Sequence, residues 1–355
     1  MKLRDLRTQF GSKPTEADLA RYRQSPNWVQ GSFRNLQATP MAGSLREMPA
    51  MIYKQLTGRK GRVPERPLPL HFDPATLNHD RDGATKMAWF GHSALLFRIA
   101  GKTILVDPML GPDTTPIAPF PTKRFSENTL DLIDQFPPID LILITHDHYD
   151  HLDLASIRLL KDKTSAFAVA LGVKRHLVKW GVDPERVTEF DWWDTENFGG
   201  VDITFTPTRH FAGRGLGDRN TSLWGGWVLA AANEKIWVSG DGGYGQHFTE
   251  IGRRHGPFDF AFLECGQYNV DWPLLHMFPH ESIQAALDAG AQKVIPIHCA
   301  GFCLTYQHRW AEPLEAFQQA AAERQLPCLL PPLGRVFTRS DSLPHAWWRP
   351  YNTIT

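Results

Sequence analysis

The 355-residue chain is 42% hydrophobic and has no low-complexity tract, which excludes a fibrous or disordered polymer and leaves material for one large core or two ordinary ones. Thirty-eight basic residues offset thirty-eight acidic ones, so no overall charge draws the molecule to nucleic acid or to an anionic bilayer. The amino terminus MKLRDLRTQFGSK has no apolar stretch behind its basic residues, and the longest apolar runs, near Ala166–Val173 and Trp227–Ala232, fall short of the roughly 18 residues of a membrane span.

The expected location is therefore cytoplasmic. Cys265, Cys299, Cys303 and Cys328 are sparse and form no CxxC pair, which fits reduced thiols better than a disulfide framework. Cys299 adjoins His298, and it reads as a buried free thiol rather than a ligand.

Residues 1–80 are rich in Pro, Arg and polar residues and read as an irregular arm with one or two short helices, packed on the body or covering an opening. The body, 81–355, opens with the β-type runs MAWFGHSALLFRIAG, KTILVDPML and IDLILITH. Short helical stretches at 153–162 and 172–180 surround the strand-like FAVAL. Strands follow in VDITFTPT, WGGWVLAA, KIWVSGD and FDFAFLEC; HESIQAALDAG reads as a helix ended by Gly290, then come the strand KVIPIHCA and a helix near EPLEAFQQAAAERQ. Strands in two sets with helices between them predict a layered α/β sandwich.

The densest chemical signal is THDHYDHLD, which crowds His146, His148, Asp150 and His151 into a loop directly after an apolar strand. A rigid strand end can aim several side chains at one point, and imidazole with carboxylate suits zinc, iron or manganese. One loop cannot supply all of the about four or five ligands that a metal takes, so further ligands are expected at later strand ends. His210, Asp241 and His298 each stand where an apolar run stops. Singly, each is explained as well by a hydrogen-bonded structural residue; their shared placement makes the pattern.

The H-x-H-x-D-H motif with His, Asp and His at later strand ends resembles the metallo-β-lactamase superfamily. WFGHSALLFRIAGKTILVDPML, PPIDLILITHDHYDHLD, TPTRHFAGRGLGDRNTSLWGGW, SGDGGYG and HCAGFCLTYQHRWAEP, between about Trp89 and Pro313, further resemble the N-acyl-phosphatidylethanolamine-hydrolysing phospholipase D family, bacterial members included. The resemblance implies a four-layer αββα sandwich with two zinc ions at one edge of the sheets. His146, His148 and His210 would hold one ion, Asp150, His151 and His298 the other, and Asp241 would bridge them. Asp150 and Asp241 would thereby serve catalysis. The implied reaction hydrolyses a phospholipid to phosphatidic acid and an N-acylethanolamine.

By the same resemblance His280 would donate a proton near the phosphate; its plain reading is a residue near a helix start. Asp107 and His92 are expected to support the ligands from behind, Asp107 by accepting an imidazole N–H or by forming the turn before Pro108, while Asp147 and Tyr149, between the ligands, should face away or, for the carboxylate, orient imidazoles from behind. Redox relatives carry Glu where His148 stands, which speaks against iron-based redox chemistry, while iron or manganese as the hydrolytic metal stays open. Other esters, such as lactones, and a metal-binding scaffold without turnover are the competing readings.

Twelve tryptophans and twenty-one phenylalanines suit either a lipid–water interface or a core. Trp224 and Trp227, on an apolar strand, are expected in the core, and Trp347 and Trp348 at the surface. The mixed apolar and basic segment MPAMIYKQLTGRKGR fits a solvated helix face or peripheral membrane contact. The expected partner is a phospholipid or another phosphodiester, not nucleic acid, and a homodimer is compatible with the sequence.

Overall fold

The computed structural model describes residues 7–40, 53–54, 57, 61–78, 83–114, 122–215, 217–231, 234–343 and 346–352. Most of the mixed apolar and basic segment at 48–62 lies outside them.

The arm carries a short helix, α1 (Glu16–Tyr22), and a hairpin of β1 (Trp28–Val29) and β2 (Ser32–Phe33), followed by α2 (Pro74–Asn78). Helix α1 starts at Thr15, whose hydroxyl accepts from Asp18 N while the Asp18 carboxylate returns a bond to Thr15 N, a reciprocal cap of two otherwise orphaned donors.

The body is built on two six-stranded mixed sheets. The first runs in the order β3 (Lys86–Trp89), β4 (Leu95–Ile99), β5 (Lys102–Val106), β6 (Ile139–Ile144), β7 (Thr164–Ala170) and β8 (Val187–Phe190). The short α3 (Leu132–Gln135), α4 (Leu154–Leu160) and α5 (Lys174–Lys179) connect its parallel strands. The second sheet places β9 (Thr195–Phe198), β10 (Val201–Pro207), β11 (Gly225–Ala231), β12 (Glu234–Val238), β13 (Phe260–Glu264) and β14 (Val294–Ile297) side by side. Helices α6 (His247–His255), α7 (Pro279–Asp288) and α8 (Glu312–Glu323) belong to this half.

Side chains alternate between the two faces of each strand, and the second sheet uses both. Trp227, Leu229, Ile236, Val238, Phe260, Phe262, Ile295 and Ile297 join the main core between the sheets. Their neighbours Val228, Trp237, Ala261, Leu263 and Val294 join an outer cluster with Phe248, Ile283 and Phe317 of α6, α7 and α8. Phe97 of β4 meets Phe262 of β13 edge to face, with centroids 5.2 Å apart, and so links the two sheets. The chain is thus a four-layer αββα sandwich, as the resemblance implies. Truncating a buried ring such as Trp227 would cost about 3–5 kcal/mol.

The expected strands and helices of the body are present, and the chain leaves α7 through Gly290 at a φ of 74°. The LWGGW run has a steric cause: a Cβ on Gly226 would stand 2.5 Å from the carbonyl oxygens of Val238 and Ser239, so only glycine lets β11 lie this close to the end of β12.

Trp224 and Trp227 are fully buried. Trp348 departs from the surface expectation, with 0% exposure in the main core. The tail folds back on the body, where Met87 and Phe337 exchange both backbone hydrogen bonds, and the apolar area of the indole is worth more inside than in water. Trp347 is half-buried against the same core. No helix among the described residues is long and apolar enough to cross a membrane.

Candidate metal centre

Several strands end at one edge of the sandwich, and each delivers a polar side chain there. Strand β6 leads into the loop of His146, His148, Asp150 and His151; His210 follows β10, Asp241 follows β12 and His298 follows β14. The two sheets are tied at this edge by backbone bonds, His92 N donating to Cys299 O at 2.7 Å and His298 N to His92 O at 2.9 Å. His92, Asp107 and His298 all have left-handed backbones, with φ of 55°, 40° and 63°. A Cβ on Gly266 would lie 1.8 Å from His298 O, so the loop after β13 passes His298 only because that residue is glycine.

The seven sequence-predicted ligands converge. His148 Nδ1 lies 2.9 Å from His146 Nε2 and 3.3 Å from His210 Nε2. Asp150 Oδ2 lies 3.2 Å from His298 Nε2 and 3.9 Å from His151 Nε2. Asp241 Oδ2 stands between the two groups, 3.1 Å from the Nε2 atoms of both His151 and His298, 3.8 Å from that of His210 and 4.0 Å from that of His146.

These spacings fit a cation. Nitrogen ligands about 2.0–2.1 Å from a tetrahedral zinc are about 3.3 Å from one another. The donor chemistry fits as well: Asp241 Oδ1 is buried with no hydrogen-bond partner, a costly arrangement that a bound ion would relieve.

The far side of three of the rings is held. His151 Nδ1 is 2.7 Å from Asp107 Oδ2, His146 Nδ1 is 3.0 Å from Thr145 Oγ1, and His210 Nδ1 is 3.1 Å from Leu275 O. Such bonds leave Nε2 facing inward. His92 Nε2 is 2.9 Å from Asp150 Oδ2, behind that carboxylate.

Asp147 turns away from the cluster. Its Oδ2 faces His176 Nε2 at 3.2 Å, its Oδ1 accepts from Gly213 N at 2.7 Å, and Ser222 Oγ donates to it as well. It therefore supports the loop rather than the imidazoles of the cluster, which the sequence expectation left open. Tyr149 also points outward and donates to Arg214 O at 2.5 Å.

Burial opposes charge throughout the site, and neighbours decide which groups ionise. Asp241 is held well below the usual carboxylate range despite burial, because His151 and His298 face it. Burial resists ionisation of Asp150 too, yet His151 and the bonds from His298 and His92 hold it low. Burial and facing imidazoles keep His146 and His210 well below the usual histidine range, hence neutral, the form that binds a metal. Burial lowers His298, but Asp241, the bond to Asp150 and the nearby carboxylate of Glu264, 3.8 Å from Nδ1, outweigh that and push it up to about 10. The negative field behind that shift is the one a divalent cation would enter.

His280 is not brought into this cluster. It is exposed in the first turn of α7, with its ring 6.0 Å from that of Phe278. His276, four positions earlier, is the histidine that reaches the site, its ring 5.1 Å from that of His210 and stacked 5.2 Å from that of His298. Its Nδ1 is 2.5 Å from Oε1 of the fully buried Glu264, whose other oxygen accepts from Met277 N at 2.9 Å. The sequence offered two histidines around HMFPH, and only the fold separates them.

An αββα sandwich with His and Asp side chains converging at one sheet edge defines a class of metallo-enzymes, and the family comparison agrees. The chain belongs to the β-lactamase superfamily, whose domain description matches residues 102–299. It is 37% identical to an uncharacterised protein of Mycobacterium tuberculosis, over 92% of this chain and 88% of that one. It is 28% identical to N-acyl-phosphatidylethanolamine-hydrolysing phospholipase D 1 of Caenorhabditis elegans, over 74% of this chain and 77% of the relative. Among solved structures, a metallo hydrolase of the archaeon Ignicoccus hospitalis shares the fold with a TM-score of 0.56 at 20% identity, covering 73% of this chain and all of that one.

Proposed function

We propose that the protein is a phospholipase D-type phosphodiesterase with two zinc ions, releasing an N-acylethanolamine and phosphatidic acid from N-acyl-phosphatidylethanolamine or a related phospholipid. The observation that carries this reading is the place of Asp241, with one carboxylate oxygen within 4.0 Å of four imidazole nitrogens. A single anion so placed suits two cations held side by side. His146, His148 and His210 would hold one cation, Asp150, His151 and His298 the other. The likeness to the nematode phospholipase D supports the choice of substrate class.

When bound, two divalent cations would lower the pKa of water in the site and draw charge from the phosphoryl oxygens. The chain's own residues then have defined tasks. Asp150 and Asp241 supply the negative charge that holds the pair, and Asp107 fixes the ring of His151. Glu264 accepts the Nδ1 proton of His276, leaving Nε2 to carry a proton to the departing alkoxide. Water adds to phosphorus, the bond from phosphorus to the ethanolamine oxygen breaks, that oxygen leaves with the Nε2 proton of His276, and the proton given up by the water restores His276. His276 takes here the part that the sequence reading gave to His280.

The test is hydrolysis by zinc-replete protein of N-acyl-phosphatidylethanolamine vesicles, beside bis-(p-nitrophenyl) phosphate and lactones. Release of N-acylethanolamine from the vesicles is expected. Turnover of lactones alone would move the reading to another ester, and turnover of nothing would leave a metal-binding scaffold.

A further inference from the structure

The arm docks against the loops that carry the candidate ligands at two places. Near its start, Arg214 donates through Nε to Gln9 O at 3.1 Å and through Nη1 to the backbone oxygens of Asp147, within the histidine loop, and Leu152, just after it, at 2.7 and 2.8 Å. Ser12 N donates to His176 Nδ1 at 3.0 Å, on the ring whose other nitrogen faces Asp147.

The second contact is more direct. Asn35 places both ends of its side-chain amide on the backbone of His210: Nδ2 donates to His210 O at 2.8 Å, and Oδ1 accepts from His210 N at 3.1 Å. The same Oδ1 accepts from Trp224 Nε1 at 3.0 Å. His210 needs such a partner, because β10 ends at Pro207 and no neighbouring strand pairs with the residues after it. A side-chain amide offers the same donor and acceptor as a peptide group, so Asn35 substitutes for a missing strand.

Asn35 is itself held in register. The rings of Tyr22, Trp28 and Phe33 pack with centroids 4.8–5.6 Å apart, and Phe33 N donates to Asn220 O at 2.8 Å. Two residues further on, Leu36 and Gln37 line a cavity of about 480 Å³ together with Thr208 and Arg209, the residues that precede His210.

We propose that the arm is a working part of the metal centre and that Asn35 is the positioning residue of His210. With Leu275 O fixing Nδ1 of the ring and Asn35 fixing the backbone, the Nε2 vector toward the cation is set from both ends. Asn35 lies outside the superfamily match at 102–299, so this part of the centre is supplied by the chain's own arm. The inference rests on His210 holding a cation, as argued above.

The test compares the full chain with Asn35→Ala and Asn35→Asp. Zinc stoichiometry and affinity are read by competition with a chromophoric chelator, the cobalt(II)-loaded forms by their visible spectra, and the metal-free forms by thermal unfolding. Asn35→Ala is expected to keep one tight cation and to hold the other about 10–100-fold more weakly, with altered cobalt bands. Asn35→Asp keeps the acceptor for His210 N–H but loses the donor to its carbonyl, and is expected to weaken the same cation; it decides the matter if the alanine variant does not fold. Wild-type affinities and spectra in a folded variant overturn the inference while leaving the metal reading intact. A wild-type chain that binds no cation tightly removes both.

Discussion

Asp107 and His151 are joined by a 2.7 Å hydrogen bond between Oδ2 and Nδ1, and the same carboxylate accepts the amide and the hydroxyl of Thr145 at 2.8 and 2.6 Å. Three donors from the metal loop thus converge on one buried acid from the neighbouring strand. Asp107→Ala removes the shared acceptor of all three and frees the ring of His151. Zinc affinity is expected to fall about 10–100-fold, as for other residues that support a metal ligand. Elemental analysis after dialysis against a graded chelator reads this, and full zinc retention would reduce Asp107 to a turn former.

Asp241→Ala removes the one carboxylate that faces both groups of histidines. Turnover is expected to vanish and metal content per chain to drop. Full activity with both metals retained would take Asp241 out of the bridge.

His276→Ala is expected to lower kcat about 100-fold or more, the usual contribution of a placed general acid, with metal content intact. His280→Ala, on the exposed first turn of α7, is expected to leave kcat near wild type. The reverse outcome would return the proton donor to His280.

Because the proposed ligands come from both sheets, removing the cations should loosen the sandwich as a whole. Zinc at 1,000 times its Kd contributes about 4 kcal/mol per site, so removing two ions should lower Tm by roughly 10 °C in a chain of this length. Scanning calorimetry with and without chelator checks this; an unmoved Tm would mean that no bound ion bridges the sheets.

Away from the metals, burial and the nearby Arg209 push His247 down to about 3. An unfolded histidine titrates near 6.5, so as pH falls below that value the unfolded chain takes up a proton that the folded one refuses. Stability contributed by a neutral His247 is therefore complete above pH 6.5 and is lost as pH drops toward 3. Between pH 6.5 and 5 the loss is about 2 kcal/mol. Urea unfolding of His247→Leu should give a correspondingly flatter pH profile, and parallel profiles would mean that His247 is solvated.

Much of the fold was legible because buried strands write themselves as apolar runs: FAFL, VIPI and LILI are each continuous, and the body read from them appears as two sheets. Strand β9 escaped because TENF is largely exposed and is held by pairing with β10 rather than by any pattern of its own. Helix α6 escaped for a similar reason, with HFTEIGRRH burying only His247, Phe248 and Ile251. The seven clustered residues were visible because ligands sit at the ends of visible strands. His276 was not, since it stands in an irregular stretch between β13 and α7, and Asn35 acts through backbone bonds across 175 residues of chain that no spacing rule reports.

The left-handed backbones at His92, Asp107 and His298 limit how this protein can be made hardier. Relieving such a conformation with glycine gains on the order of 1 kcal/mol per position, yet at these three it would erase the side chains on which the proposed chemistry depends. Engineering for heat tolerance should begin instead at Gln325, which has a φ of 55° just beyond the end of α8 and where a glycine would close the helix without touching the catalytic edge.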